Sequence, residues 1–152
     1  TMLVQLAGHL GARVIGTARP AHHDHLRRLG AIPIAYGPGL VDRVRSVHPH
    51  GVDAAIDAAG GGEPLRASLD LVADRSRIGT LVDFPLAQRL GTTGIRAERS
   101  RENLRLLAAL HETGALRVTV RARFPLDAAA DAHREIERGH GIGKVVVQQL
   151  AR

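Results

Sequence analysis

Short apolar strands and amphipathic helices alternate along this chain, and a glycine closes one helix after another. Arg13 to Thr17 (RVIGT), Gly51 to Asp57 (GVDAAID) and Arg77 to Val82 (RIGTLV) are apolar runs of strand length. Ala31 to Tyr36 (AIPIAY) is another, which Pro33 pushes toward a sheet edge because proline cannot donate to a ladder. Helices fall between them. Met2, Leu3, Leu6 and Leu10 recur at helical spacing ahead of Gly11. Ala21 to Leu29 carries Leu26 and Leu29 on one side and stops at Gly30, and Leu40 to Val47 turns Leu40, Val41, Val44 and Val47 inward. After the turn Gly60-Gly61-Gly62, Pro64 opens a helix over Leu65 to Val72, where its missing N–H leaves nothing unsatisfied. Strands joined by crossovers of roughly a dozen residues pair in parallel, and parallel sheets need helices on both faces. The pattern predicts an α/β fold with a doubly wound parallel sheet.

The second half continues the alternation and then changes style. Asp83 to Ala97 reads as loop with one strand over Thr93 to Arg96, and Glu98 to His111 as a helix that Gly114 closes. Beyond it, Leu116 to Val120 alternates as a strand, Asp127 to Arg138 is an amphipathic helix, and Lys144 to Gln148 (KVVVQ) is a final strand. The expected organisation is a first domain over 1–115 and a strand-helix-strand tail over 116–152.

Composition narrows the partners. Hydrophobic residues make up 44% and charged residues 24% of the 152, which suits one domain with a real core rather than a disordered chain. The only aromatics are Tyr36, Phe84 and Phe124. Single-strand nucleic-acid binders need ring platforms for bases, so no nucleic-acid partner is expected. The net charge of +6 comes from twenty arginines and one lysine, Lys144, spread along the chain as on a solvated surface. The absence of cysteine excludes disulfides, thiolate zinc ligation and cysteine nucleophiles within this chain. No apolar run approaches the roughly 20 residues that span a bilayer, and no secretory leader is visible, so a cytoplasmic protein without a membrane partner is expected. His22, His23 and His25 read as a solvated helix start. At most His22 and His25 share a face, and two ligands do not make a metal site. No serine stands in a nucleophile elbow.

Taken in order, LAGHLGARVIGTA, LGA, GVDAAIDAAGG, RIGTLVDF, ERSRENLRLLAALHETGALR and FPLDAAADAHREIERGHGIGKVVV are similar to the medium-chain dehydrogenase/reductase superfamily, of the zinc-type alcohol dehydrogenase kind. The branch they resemble is that of the quinone-oxidoreductase-like, NADPH-dependent reductases. The resemblance runs from Thr1 to about Leu150, and its most specific part is the tail from Phe124-Pro125-Leu126 through His133, Glu137, Gly143 and Lys144. It implies a Rossmann-like sheet with NADPH as cofactor and a small-molecule substrate. The hydride acceptor would be an activated alkene, a quinone or a carbonyl. It also implies a catalytic domain, a first strand and a glycine-rich turn ahead of the opening helix. Without that turn the backbone donors for the pyrophosphate are gone, so this chain alone is expected to bind NADPH weakly or not at all. The tail from Leu116 would pack on the catalytic domain; uncovered, it invites association as a homo-oligomer or with a partner chain. The competing reading is a non-catalytic assembly module, or one part of a split enzyme, that pairs through an open sheet edge.

Six residues are candidates for cofactor contact, and none is assigned as catalytic. At the end of the RVIGT strand an acid would accept from a ribose 2′-OH, whereas arginine accommodates a 2′-phosphate. Here stand Thr17 and Arg19, with no acid before Asp24. The bland alternative for Arg19 is one surface arginine among twenty, but its strand-end place favours phosphate. By resemblance Tyr36 lies beside the adenosine end of the cofactor; by itself it reads equally as a packing residue at a sheet edge. Ala59 and Phe84 follow strand ends, where parallel sheets bind ligands. Lys144 reads either as a pyrophosphate contact, by resemblance, or as a flanking surface charge. Asp57 is expected to order the turn that follows it rather than to act as a base.

Overall fold

A computed structural model describes residues 1–139 and 141–149; His140 and residues 150–152, the last of the expected tail, lie outside the described residues. Its helices are α1 (Met2–His9), α2 (His23–Arg28), α3 (Leu40–Val47), α4 (Glu63–Leu71), α5 (Phe84–Leu90), α6 (Arg101–Glu112) and α7 (Ala129–Glu137). Its strands are β1 (Ile15–Thr17), β2 (Ile32–Ile34), β3 (Ala55–Asp57), β4 (Ile78–Thr80), β5 (Thr93–Gly94), β6 (Val120–Pro125) and β7 (Lys144–Gln148). Two compact units result: Ile15–Ser100, and Thr1–Val14 together with Arg101–Arg152.

Every strand pairing in Ile15–Ser100 is parallel, as the alternation predicts. β1 lies beside β2, with Ile15 opposite Ile32 and Thr17 opposite Ile34. β4 lies between β3 and β5, with Ala55 opposite Ile78 and Thr80 opposite both Asp57 and Gly94. The two sheets share no strand. In a doubly wound sheet of order 3-2-1-4-5-6, β2–β1 and β3–β4–β5 correspond to the two flanks of the first strand. Among the described residues no strand occupies that central place. β2, with Pro33 in it, is an outer strand, as proline requires.

Apolar packing joins these pieces. Ile34, Leu40 and Val44 form one buried cluster, with Ile15, Val52, Ala67 and Leu71 against it. Leu65, Val72, Ile78, Leu86 and Ala87 form another, against which Val52 also packs. Val52 thus touches both, and α3 and α4 tie the sheets together through it. Gly51 makes the approach possible: it adopts φ +82°, and a Cβ there would run into the Leu71 carbonyl oxygen that accepts the Val52 N–H at 2.9 Å.

Three local expectations change. The stretch after Asp83 is not loop but α5: the Asp83 carboxylate accepts the Leu86 N–H at 3.1 Å, Pro85 sits in the first turn, and Gly91 ends the helix at φ +68°. The strand expected at Leu116 begins only at Val120. Leu116 is buried instead at the end of α6, its N–H donated to the Leu110 carbonyl at 2.8 Å and its carbonyl beside His111 Nδ1 at 2.9 Å. On α1 the buried residue is Val4, while Leu3 and Leu10 face solvent.

The other unit contains the expected strand-helix-strand tail as a parallel β6–α7–β7 crossover. Arg121 on β6 and Glu135 on α7 form a largely buried ion pair across it, and Arg138 reaches the same carboxylate at 3.1 Å. Gln5 on α1 exchanges two hydrogen bonds with the Arg117 backbone, at 2.8 and 3.1 Å. Among the described residues no helix is long and apolar enough to cross a membrane.

Leu65 is fully buried and Leu104 is 68% exposed. Chemical denaturation should show Leu65→Ala destabilising the chain by about 2–5 kcal/mol, and Leu104→Ala by about 0.5 kcal/mol or less. Equal losses would mean that the cluster around Leu65 is not the core.

Candidate functional site

Parallel pairing sends the carboxyl ends of the strands in each sheet the same way, and the loops that leave those ends carry the candidate residues of Ile15–Ser100. Thr17 is the last residue of β1 and is exposed. Past it, the Ala18 N–H extends the ladder to the Ile34 carbonyl at 2.9 Å, and His23 Nε2 lies 3.2 Å from the Ala18 carbonyl oxygen. Arg19 then leads into a single 3-10 turn, Pro20–His22. Because β2 runs parallel beside β1, its exit loop rises next to this one. Arg19 Nε donates to the Tyr36 hydroxyl at 2.9 Å. Both side chains are exposed, so the guanidinium's remaining donors and the phenol ring face solvent together.

A second pair of exits is welded by a buried carboxylate. Asp57, 4% exposed at the end of β3, accepts the N–H groups of Ala59 and Gly60 on Oδ1, both at 2.9 Å. Its Oδ2 accepts the Thr80 hydroxyl at 2.9 Å from the end of β4. Thr80 Oγ1 in turn accepts the N–H groups of Val82 and Asp83, both at 3.1 Å. Asp83 then caps α5. One carboxylate and one hydroxyl therefore set the path of both loops. All these acceptors and donors are committed to one another, which is what a buried charge requires.

The candidates fall as follows. Arg19 and Tyr36 meet directly. Thr17 stands at the same strand end, two residues before Arg19. Ala59 is exposed, but its N–H is taken by Asp57, so its methyl group and carbonyl are what it presents to a ligand. Phe84 opens α5 rather than continuing a loop, and the Arg96 guanidinium lies 4.8 Å from its ring centroid. Lys144 is exposed at the start of β7 and belongs to the other unit. Asp57 orders its turn, as expected.

Thr80 and Arg96 were not among the candidates. The sequence carries a signal for Thr80: a hydroxyl residue closing an otherwise apolar strand, IGT. Arg96 carried no comparable signal, because its partner Phe84 is twelve positions away and meets it only through the turn after α5.

Comparison with known proteins follows the same lines. The family model described as zinc-binding dehydrogenase matches residues 29–147. Among curated proteins, the polyketide synthase GfsB of Streptomyces halstedii is 30% identical over 161 residues, taking in 95% of this chain and 3% of that protein. Two solved structures, an NAD-dependent alcohol dehydrogenase and the quinone oxidoreductase from Coxiella burnetii, are each 26% identical with a TM-score of 0.79. This chain is covered over 97% and 98% in these two, and they over 47% and 49%. A mycobacterial protein solved in complex with NADPH is 27% identical, with a TM-score of 0.71, covering 95% of this chain and 51% of that one. The chain thus spans about half the length of the solved structures it matches.

The residues present do not fit a zinc site. The chain has no cysteine, and among the described residues no three histidine, aspartate or glutamate side chains converge to hold a metal ion. Zinc sites take three or four such ligands.

The Asp57–Thr80 junction yields a direct test. Thr80→Val keeps the shape but orphans two N–H groups and a carboxylate oxygen, and should cost about 1–3 kcal/mol of stability. Amide exchange should quicken at Ala59, Gly60, Val82 and Asp83, and Thr80→Ser should restore protection. Unchanged exchange in Thr80→Val would show that these loops hold their path without the junction.

Proposed function

We propose, from the premise that this chain belongs to the zinc-binding dehydrogenase family of medium-chain dehydrogenase/reductases, that it is the cofactor-binding portion of an NADPH-dependent oxidoreductase. The Arg19–Tyr36 pair carries this reading. A guanidinium at the carboxyl end of a parallel strand is suited to a ribose 2′-phosphate by its permanent charge and forked donors. An NAD site would place an acid there to accept from a 2′-OH. The phenol of Tyr36 spends one donor of Arg19, Nε, and leaves the outer fork of the guanidinium for a phosphate.

The remaining candidates follow from the same geometry. Phe84 and Ala59, at the exits of β4 and β3, provide an apolar edge against which a nicotinamide ring packs. The buried Asp57–Thr80 junction holds that edge in place. A bound NADPH supplies the hydride; this chain's residues bind and orient it, and none is assigned as the acid that completes a reduction. Thr17 flanks the phosphate. Lys144 offers a cation for the pyrophosphate, and that role rests on the family resemblance. A cytoplasmic location is part of the same proposal, since reduction by NADPH needs an intracellular pool of that cofactor. Of the acceptors open to this family, an activated alkene is the one we favour. The support is the match with a polyketide synthase, an assembly that builds acyl chains. The substrate and the proton donor would lie in the part of a longer enzyme that this chain does not span.

The test isolates the adenosine end, which does not depend on the pyrophosphate site. Titration calorimetry should find that 2′,5′-ADP binds this chain at least about tenfold more tightly than 5′-AMP, as one charge-assisted contact predicts. Arg19→Ala should abolish the difference while leaving 5′-AMP unchanged, and NADPH and NADH should rank in the same way. Equal binding of the two adenosine ligands would refute the NADPH reading.

A further inference from the structure

Tyr36 is poorly supported by its own side chain. It is 48% exposed and belongs to neither the Ile34 nor the Leu65 apolar cluster of Ile15–Ser100. The loop that carries it is held from below. Arg43, the fourth residue of α3, spends all three of its guanidinium nitrogens on carbonyl oxygens of this loop. Nε donates to Ala35 at 3.0 Å, one Nη to Gly37 at 2.9 Å and the other to Pro38 at 2.7 Å. The acceptors bracket Tyr36 on both sides and leave only its own carbonyl out.

The chain is shaped to permit this clip. Gly37 and Gly39 both adopt left-handed φ, +95° and +78°, which folds the loop back over the first turn of α3. A Cβ at Gly39 would lie 3.1 Å from an Arg43 Nη. A cation in the first turn of a helix sits against the helix dipole, so its place there is not explained by α3 itself. The three carbonyls repay that position with hydrogen bonds, and none of them neutralises the charge.

We propose that Arg43 is a positioning residue for the 2′-phosphate: it fixes the Ala35–Pro38 loop, the loop aims the Tyr36 hydroxyl, and the hydroxyl holds Arg19 in the orientation that selects NADPH over NADH. This deepens the proposed function and rests on it. Arg43 itself does not touch the cofactor. Its identity as arginine matters because only a fork with three separated donors spans three carbonyls; a lysine ammonium delivers the same charge from one point.

The chain contains one tyrosine and no tryptophan, so its intrinsic fluorescence reports Tyr36 alone. In the full chain, Arg43→Gln and Arg43→Lys should both lower Tyr36 anisotropy and raise its quenching by acrylamide. In both, the preference for 2′,5′-ADP over 5′-AMP should fall about three- to tenfold, the usual consequence of leaving a contact side chain to be ordered on binding. Arg45→Gln, a change to an exposed arginine on the same helix that bonds the Asp70 carbonyl, should alter neither readout. Circular dichroism confirms that each variant is folded. Rescue of the preference by Arg43→Lys would show that charge acts through space, and would overturn the clip. So would an unchanged preference in Arg43→Gln. Absence of any preference in the unaltered chain would overturn the NADPH reading first and this proposal with it, a result distinct from a preference that survives in the variants.

Discussion

A carboxylate withdrawn from water must be met by donors, and the arrangement of the β3 and β4 exits follows from meeting that need for Asp57. Two backbone amides and one hydroxyl surround it, and the hydroxyl passes the demand on to two further amides. The last of these belongs to Asp83, whose own carboxylate caps α5. Five groups, from the loop after β3, the end of β4 and the loop that leads into α5, are thus ordered by a single buried carboxylate. The small residues Ala58 and Ala59 and the start of α5 are where they are because of it. Polar networks of this kind are rigid when every member is satisfied, and here these donors and acceptors match one another.

Parallel topology does the rest. Arg19 and Tyr36 are 17 positions apart, with α2 and β2 between them. They meet because a strand, a crossover helix and a parallel strand return the chain to the same edge. A hairpin would have sent Tyr36 to the opposite end. The same rule places Ala59 and Phe84 at the exits of adjacent strands, β3 and β4. The exits of β1 and β2 thus bring a guanidinium and a phenol together, and those of β3 and β4 carry a small residue and an aromatic ring. This chain spans about half of each of the two related structures.

Much of this was legible in residue order. α3 and β7 appear over the residues their patterns predicted, because each is a clean periodic run with a turn signal at its boundary. α5 is not legible in the pattern, although Asp83, Pro85 and Gly91 are a cap, a first-turn proline and a stop. A seven-residue helix is too short for its apolar spacing to declare itself against those loop-forming residue types. The strand starts at Val120 and not at Leu116 because a buried leucine after a glycine serves a helix end as readily as a strand start. Nothing local in the sequence distinguishes Arg43 from the other arginines, because its three carbonyl partners are set by how the preceding loop folds back.

The triplet Ile-Gly-Thr occurs twice and separates the two kinds of determination. At Ile15–Thr17 and at Ile78–Thr80 the sequence alone specifies an extended, apolar, parallel strand, and both triplets form one. Composition likewise determined that no thiolate could serve here and that the fold would be built from aliphatic residues. The fate of the two threonines was decided only in three dimensions. Thr17 ends an outer pair of strands and is exposed beside Arg19, while Thr80 lies between β3 and β5 and is fully buried against Asp57. A strand's conformation depends on its own residues, but what its last hydroxyl meets depends on which strands stand on either side. Those neighbours are chosen by packing across the whole sheet.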